Sequence, residues 1–169
     1  MMCSWLTGVF MNMTREILIV GLFLGILFFL VSLFVTTPFS DLKKSRLCDG
    51  FRQINFRECL YAIWIYGIVT ALWEELFWRV AVQSFLTYFL GGWIAIIVTV
   101  SLFSAMHYHR FKGRLSRVCE FIVFSFVLSF MFNNTHNYWL VVLVHFCRNS
   151  LIVIYRLSWL STKKQEGVL

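Results

Sequence analysis

Polar and apolar positions divide the chain into long uncharged runs separated by short basic or polar segments. Residues 17–37 carry no ionisable side chain and stop at Pro38, the one proline. A run of that length crosses roughly 30 Å of hydrocarbon as a helix. It is too long for the apolar part of a signal peptide and no small-x-small cleavage site follows it, so an uncleaved first helix is expected. Residues 41–58 place Lys43, Lys44, Arg46, Arg52 and Arg57 against Asp41, Asp49 and Glu58, the pattern of a juxtamembrane basic loop. Residues 59–88 are apolar again and longer than one crossing needs, which predicts a tilted helix or a helix continued by an interfacial piece. Gly91-Gly92 breaks that run. A third helix is expected over 93–107, a basic turn over 110–117, a short Phe-rich fourth helix over 118–132, a polar turn over 133–137 and a fifth helix over 138–159. The period-two alternation of barrel strands is absent, so the spanning elements are helices. The expected fold is all-α: a polytopic transmembrane helix bundle of about five spanning helices.

Composition agrees with that pattern. Of 169 residues, 60% are hydrophobic and 14% charged, where a soluble domain carries about a quarter charged. The net charge of +7 comes from side chains at the ends of apolar runs. It forms no solvated basic face, so no nucleic-acid partner is expected; the lipid bilayer is the surrounding partner. The loops after the first and third helices hold five and four basic residues, the loops after the second and fourth none, and Lys163 and Lys164 follow the fifth. The positive-inside rule then puts the N-terminus outside and the C-terminus in the cytoplasm. The five cysteines contain no C-x-x-C pair; they suggest neither a disulfide framework nor a thiolate zinc site and read as small buried hydrophobes. The aromatic richness reads as lipid contact and packing.

Against this apolar background the stretch Trp73-Glu74-Glu75-Leu76-Phe77-Trp78-Arg79 stands out. Ionisable groups at membrane depth are costly, and their default reading is functional. Glu75 and Arg79 are four apart with Glu first, the favourable order for an ion pair along a helix. Glu74 lies roughly 100° round the helix from Glu75, out of Arg79's reach, and needs a partner elsewhere in the bundle. Two later segments supply candidates: Phe103 and His107 share one helix face, His145 and Asn149 another. A carboxylate beside an imidazole is a suitable general base for water, and a second imidazole with a carboxamide can donate to a developing oxyanion. Taken singly, each residue has a structural account. An intramembrane His bonds a backbone carbonyl, an Asn glues helices together, and Arg148 and Arg156 snorkel to head groups.

The three segments together resemble the signature of the CAAX protease and bacteriocin-processing (CPBP, or Abi) family: Glu-Glu-x-x-x-Arg as Glu74-Glu75…Arg79, Phe-x-x-x-His as Phe103…His107, and His-x-x-x-Asn as His145…Asn149. The resemblance covers about residues 60–157 and includes Asn137-Tyr138-Trp139-Leu140 before the third segment. It implies a glutamic-type intramembrane endopeptidase in which Glu74 and His107 activate water, His145 and Asn149 stabilise the oxyanion, and Glu75, Arg79 and Phe103 support them, with no cofactor and no metal. Two departures stand against the family's pattern: Val80 follows Arg79 where Gly is frequent, and the extra helices of CAAX-cleaving members are missing, which shifts the expected substrate away from prenylated tails. The implied substrate is a membrane-embedded or membrane-tethered peptide or protein. The implied location is multi-pass in a bacterial inner (plasma) membrane. On this reading residues 1–58 hold the first helix and basic loop, 59–160 the protease-like core, and 161–169 a polar tail.

Two other readings use the same residues. Glu and two His could ligate zinc with an open position, although no H-E-x-x-H pair is present. The chain could also be a non-catalytic membrane immunity or interaction protein. A transporter fits less well, since no internal repeat is visible.

Overall fold

The computed structural model describes residues 14–36, 54–110 and 114–165, which form five helices and no strand. Most of the basic loop expected over 41–58, the centre of the basic turn and the end of the polar tail lie outside the described residues. Helix α1 is Arg15–Thr36. Helix α2 runs unbroken from Phe56 to Leu90, α3 is Gly92–Met106, α4 is Leu115–Thr135 and α5 is Tyr138–Gln165. Four of them, all but α3, are long and apolar enough to cross a membrane; the chain is an integral membrane protein with a helical bundle fold.

Helix α2 is one continuous 35-residue element; its length is about 50 Å at 1.5 Å per residue. Asn55 caps it, accepting a hydrogen bond from the Arg57 amide at 3.0 Å. Two stretches, Ile63–Val69 and Leu76–Gln83, widen into π geometry around the α-helical segment Thr70–Glu75. The hydroxyls register the change. Thr70 and Ser84 reach back five residues, to the carbonyls of Ile65 at 2.9 Å and Arg79 at 3.1 Å. Thr87 and Ser101, in α-helical turns, reach back four, to Gln83 and Ile97. Wide turns of this kind often accompany functional positions, and the two glutamates sit between them. Gly91, at φ 80°, separates α2 from α3 by a backbone conformation that L-residues rarely adopt.

Helix α4 extends beyond the expected 118–132 at both ends. Its polar last turn stays helical, with Asn134 and Thr135 bonding the carbonyls four residues before them. The turn to α5 is made by His136 in the left-handed region at φ 49° and by Asn137, whose Oδ1 accepts from the Leu140 amide at 3.0 Å. That is an N-cap.

The interior is built where α1, α2, α4 and α5 meet, around Ala71, Phe124, Leu128, Phe132, Tyr138, Val141 and Val144, with Leu24 and Phe28 of α1 against them. In lipid the apolar effect does not hold helices together; close packing and polar contacts do. Gly21 and Gly25 let α1 approach α5 closely: a Cβ at Gly25 would stand 2.5 Å from Cys147 Cβ and 3.0 Å from the Val144 carbonyl. The Tyr138 hydroxyl donates to the Leu72 carbonyl at 2.8 Å, and Gln83 Nε2 donates to the Ser129 carbonyl at 2.9 Å. Large side chains such as Phe23, Phe34, Trp64 and Trp93 point outward, the faces a bilayer covers.

Candidate active site

Three helices bring the sequence-selected residues together. Glu75 is fully buried and joins two partners. Its Oε1 lies 2.6 Å from His145 Nδ1 on α5, and its Oε2 lies 3.2 Å from Arg79 Nε one turn on. The contact with Arg79 is an ion pair whose N–H is not aligned as a hydrogen bond. Arg79, also fully buried, places Nη2 3.4 Å from the Ser125 hydroxyl and 3.5 Å from its carbonyl on α4. Its guanidinium carbon lies 5.1 Å from the centre of the Phe103 ring, within cation–π range. The expected Glu75–Arg79 pair is therefore present, and Glu75 gains a second partner that spacing within one helix could not show.

Glu74 faces the other way round the helix. Its Oε1 is 3.5 Å from His107 Nε2 and its Oε2 is 3.8 Å from His145 Nε2. One carboxylate from α2 thus meets one imidazole nitrogen from the end of α3 and one from α5. Both imidazoles are pinned at their other nitrogen. His107 Nδ1 lies 2.8 Å from the Phe103 carbonyl, which only accepts, so Nδ1 carries the proton. His145 Nδ1 lies against the Glu75 carboxylate and by the same reasoning donates. In its neutral form each ring then turns an unprotonated Nε2 towards Glu74.

The Phe-x-x-x-His spacing of α3 acquires a physical reason here. Phe103 supplies the carbonyl that holds His107, and its ring supports the imidazole face at 4.5 Å between centres. That ring is fully buried between Trp78 and Phe121. The helix ends at His107, where the backbone turns to φ −95°, ψ 0°, so the imidazole sits at a helix terminus. His145 is supported in the same way by the edge of Phe124 at 5.5 Å.

Asn149 lies one turn beyond His145, and its contacts run to other groups. Its Nδ2 donates to the Tyr66 carbonyl in the first π stretch at 3.3 Å, and its Oδ1 accepts from Arg148 Nη1 at 3.4 Å. One of its two amide hydrogens is committed to Tyr66 and the second is available to another acceptor.

Arg148 corrects the expectation that it snorkels to the head groups. It is buried, and its Nη2 donates to both carboxylate oxygens of Glu120 at 2.8 and 3.1 Å. Sequence reasoning passed over Glu120, although it is the only acidic residue in α4 and the cost of an intramembrane carboxylate marks it as clearly as Glu74. Arg156, by contrast, is exposed, as expected of a side chain that reaches the head groups. Among the described residues, no group of three or more His, Cys, Asp or Glu side chains is placed to hold a metal ion.

Residues 56–151, more than half of the chain, match a family model described as type II CAAX prenyl endopeptidase Rce1-like. No curated protein and no solved structure matches the chain.

Proposed function

The chain belongs to the Rce1-like family of type II CAAX prenyl endopeptidases, and from that membership and the site geometry we propose a glutamic-type intramembrane endopeptidase acting on a membrane-embedded or membrane-tethered peptide. The observation that carries the proposal is the convergence of His107 Nε2 and His145 Nε2, from separate helices, on the Glu74 carboxylate.

In this reading a water touching Glu74 and His107 is the nucleophile. The Phe103 carbonyl fixes His107 with its basic nitrogen towards the carboxylate, so the pair receives the water's proton as oxygen attacks the scissile carbonyl. The proton passes to the leaving amine when the C–N bond breaks. Neutral His145 would turn a lone pair to the developing oxyanion; to donate there it must be an imidazolium. In that form its Nδ1–H is held by Glu75, and Glu75 in turn lies against Arg79. The remaining Asn149 amide hydrogen is the second donor to the oxyanion. The site works in a bacterial inner membrane with the N-terminus outside and the C-terminus cytoplasmic, the side on which the basic loops lie.

The test is cleavage of a pool of membrane peptides by the full chain in lipid nanodiscs, comparing wild type, Glu74→Gln and His107→Ala with and without a chelator. Loss of the proton-transfer group should lower kcat by about 10²–10⁴-fold, and chelation should leave wild type unchanged. Cleavage that stops with chelator and returns with zinc would replace this mechanism by a metal-assisted one. Equal turnover by wild type and Glu74→Gln would end the catalytic reading.

A further inference from the structure

Beyond the residues that meet Glu74 lies a second buried polar cluster, drawn from three helices. Arg148 of α5 is 6% exposed, and its guanidinium is engaged along every edge. Nη2 holds Glu120 of α4 in the two-oxygen contact already described, Nε donates to the Ser32 hydroxyl of α1 at 3.1 Å, and Nη1 donates to Asn149 Oδ1 at 3.4 Å. Its plane lies over the Phe124 ring, with the guanidinium carbon 4.2 Å from the ring centre. Ser32 in turn donates to Glu120 Oε1 at 2.5 Å, so arginine, glutamate and serine close a ring across α1, α4 and α5. A buried ion pair adds little net stability over apolar packing of the same volume. Its geometric role is the informative one.

That role is visible at Asn149. A carboxamide has two chemically opposite ends of nearly equal size, and its neighbours decide which end points where. Here the guanidinium, a donor only, faces Oδ1, while the Tyr66 carbonyl, an acceptor only, faces Nδ2. Rotating the amide by half a turn would set donor against donor and acceptor against acceptor. Tyr66 alone holds one edge; Arg148 fixes the other, and with it the direction of the remaining N–H. The arginine also rests on Phe124, whose edge meets His145. One side chain therefore touches both the residue beside the third-segment imidazole and the carboxamide one turn later.

We propose that Arg148 is a positioning residue that orients the Asn149 carboxamide, and that Glu120 and Ser32 hold it, which makes α1 part of the active-site scaffold. Residues 56–151 carry the family match, so Ser32 brings into the scaffold a helix outside the matched core. The proposal rests on the proteolytic reading for the role of Asn149, and not for its orientation.

Two measurements test it. The first is a double-mutant cycle on cleavage, in which Arg148→Met is always combined with Glu120→Gln so that neither charge of the pair is left buried alone and the reference keeps the intact pair. Arg148→Met should lower kcat about 10- to 100-fold with KM unchanged, the size of loss that misplacing a reacting group produces. With Asn149→Ala already present it should lower kcat no further. Equal losses in both backgrounds would mean that Arg148 acts through general packing, and would overturn the proposal. Ser32→Ala, which leaves the ion pair in place, should give a smaller kcat loss that also vanishes beside Asn149→Ala; persistence of that loss would remove α1 from the scaffold. The second measurement needs no activity: the side-chain carboxamide 15N–1H resonances of Asn149, assigned by their disappearance in Asn149→Asp, recorded in nanodiscs. They should shift and broaden in the Arg148→Met and Ser32→Ala proteins, and unchanged resonances would refute the orienting role. If Glu74→Gln cleaves like wild type, the proteolytic reading fails while the resonances still decide the orientation.

Discussion

Breaking the Glu75–Arg79–His145 group gives the sharpest check on how the interior is held. Glu75 and Arg79 have no solvent exposure, so neither charge is hydrated when its partner is removed. Glu75→Gln keeps an oxygen that accepts from His145 Nδ1 and deletes the charge opposite Arg79. What remains in contact with the guanidinium is the Ser125 hydroxyl and carbonyl at 3.4 and 3.5 Å and the Phe103 ring, all neutral, with the Glu74 carboxylate acting only from a distance. Removing one partner of a buried pair typically costs about 3–5 kcal/mol, and Arg79→Met should cost a similar amount by leaving the Glu75 charge with the His145 contact alone. The double variant Glu75→Gln/Arg79→Met removes both charges of this pair, with the amide still bonded to His145, and should be less destabilised than either single change. Independent effects would instead sum to about 6–10 kcal/mol, comparable with the whole stability of a typical domain. The assay is equilibrium unfolding in mixed micelles, followed by the fluorescence of the seven tryptophans. A double variant whose loss equals the sum of the singles to within about 0.5 kcal/mol would refute the account of a mutually dependent pair.

Other outcomes follow from local geometry. Gly25→Ala places a methyl group against Cys147 and the Val144 carbonyl; backbone cannot yield there, and a destabilisation of about 1–3 kcal/mol is expected in the same unfolding assay. Asn137→Ala removes the acceptor for the Leu140 amide and should cost about 1 kcal/mol, read as faster hydrogen exchange in the first turn of α5. With the five native cysteines replaced by Ser or Ala, cysteines placed singly after α1 and after α3, in the basic segments, should react with impermeant thiol reagents from the cytoplasmic side only; labelling from outside would reverse the proposed topology.

Much of the bundle was legible because lipid imposes a simple rule: uncharged runs long enough to span become helices. The candidate site was legible for the converse reason. Glu74, Glu75, His107 and His145 interrupt apolar runs, and each interruption needs a partner. Other features have no such signature. A π stretch leaves hydrophobicity unchanged, so the widened turns on either side of Thr70–Glu75 were invisible. Glu120 passed unread beside the basic turn and Arg148 was sent to the head groups, because only the packing of α4 against α5 joins them. Spacing along one helix finds Glu75 opposite Arg79; only the crossing of α5 shows that the same carboxylate holds His145.

The shortness of α3 bears on how a hydrolytic site obtains its second reactant. Its 15 residues rise about 22 Å, some 8 Å less than a typical hydrocarbon layer. A bilayer meeting so short an element thins around it, at a fraction of a kcal/mol for each ångström of mismatch. His107 stands at the end of that element, where such thinning would bring the lipid surface nearest. On the proposed mechanism, water would then have only the thinned layer to cross to reach the imidazole, whereas the Glu75–Arg79 pair is fully buried within the bundle. If Glu74 and His107 activate water as proposed, lengthening α3 to a full crossing would carry them away from it, and the truncated helix would set the depth at which the chemistry runs.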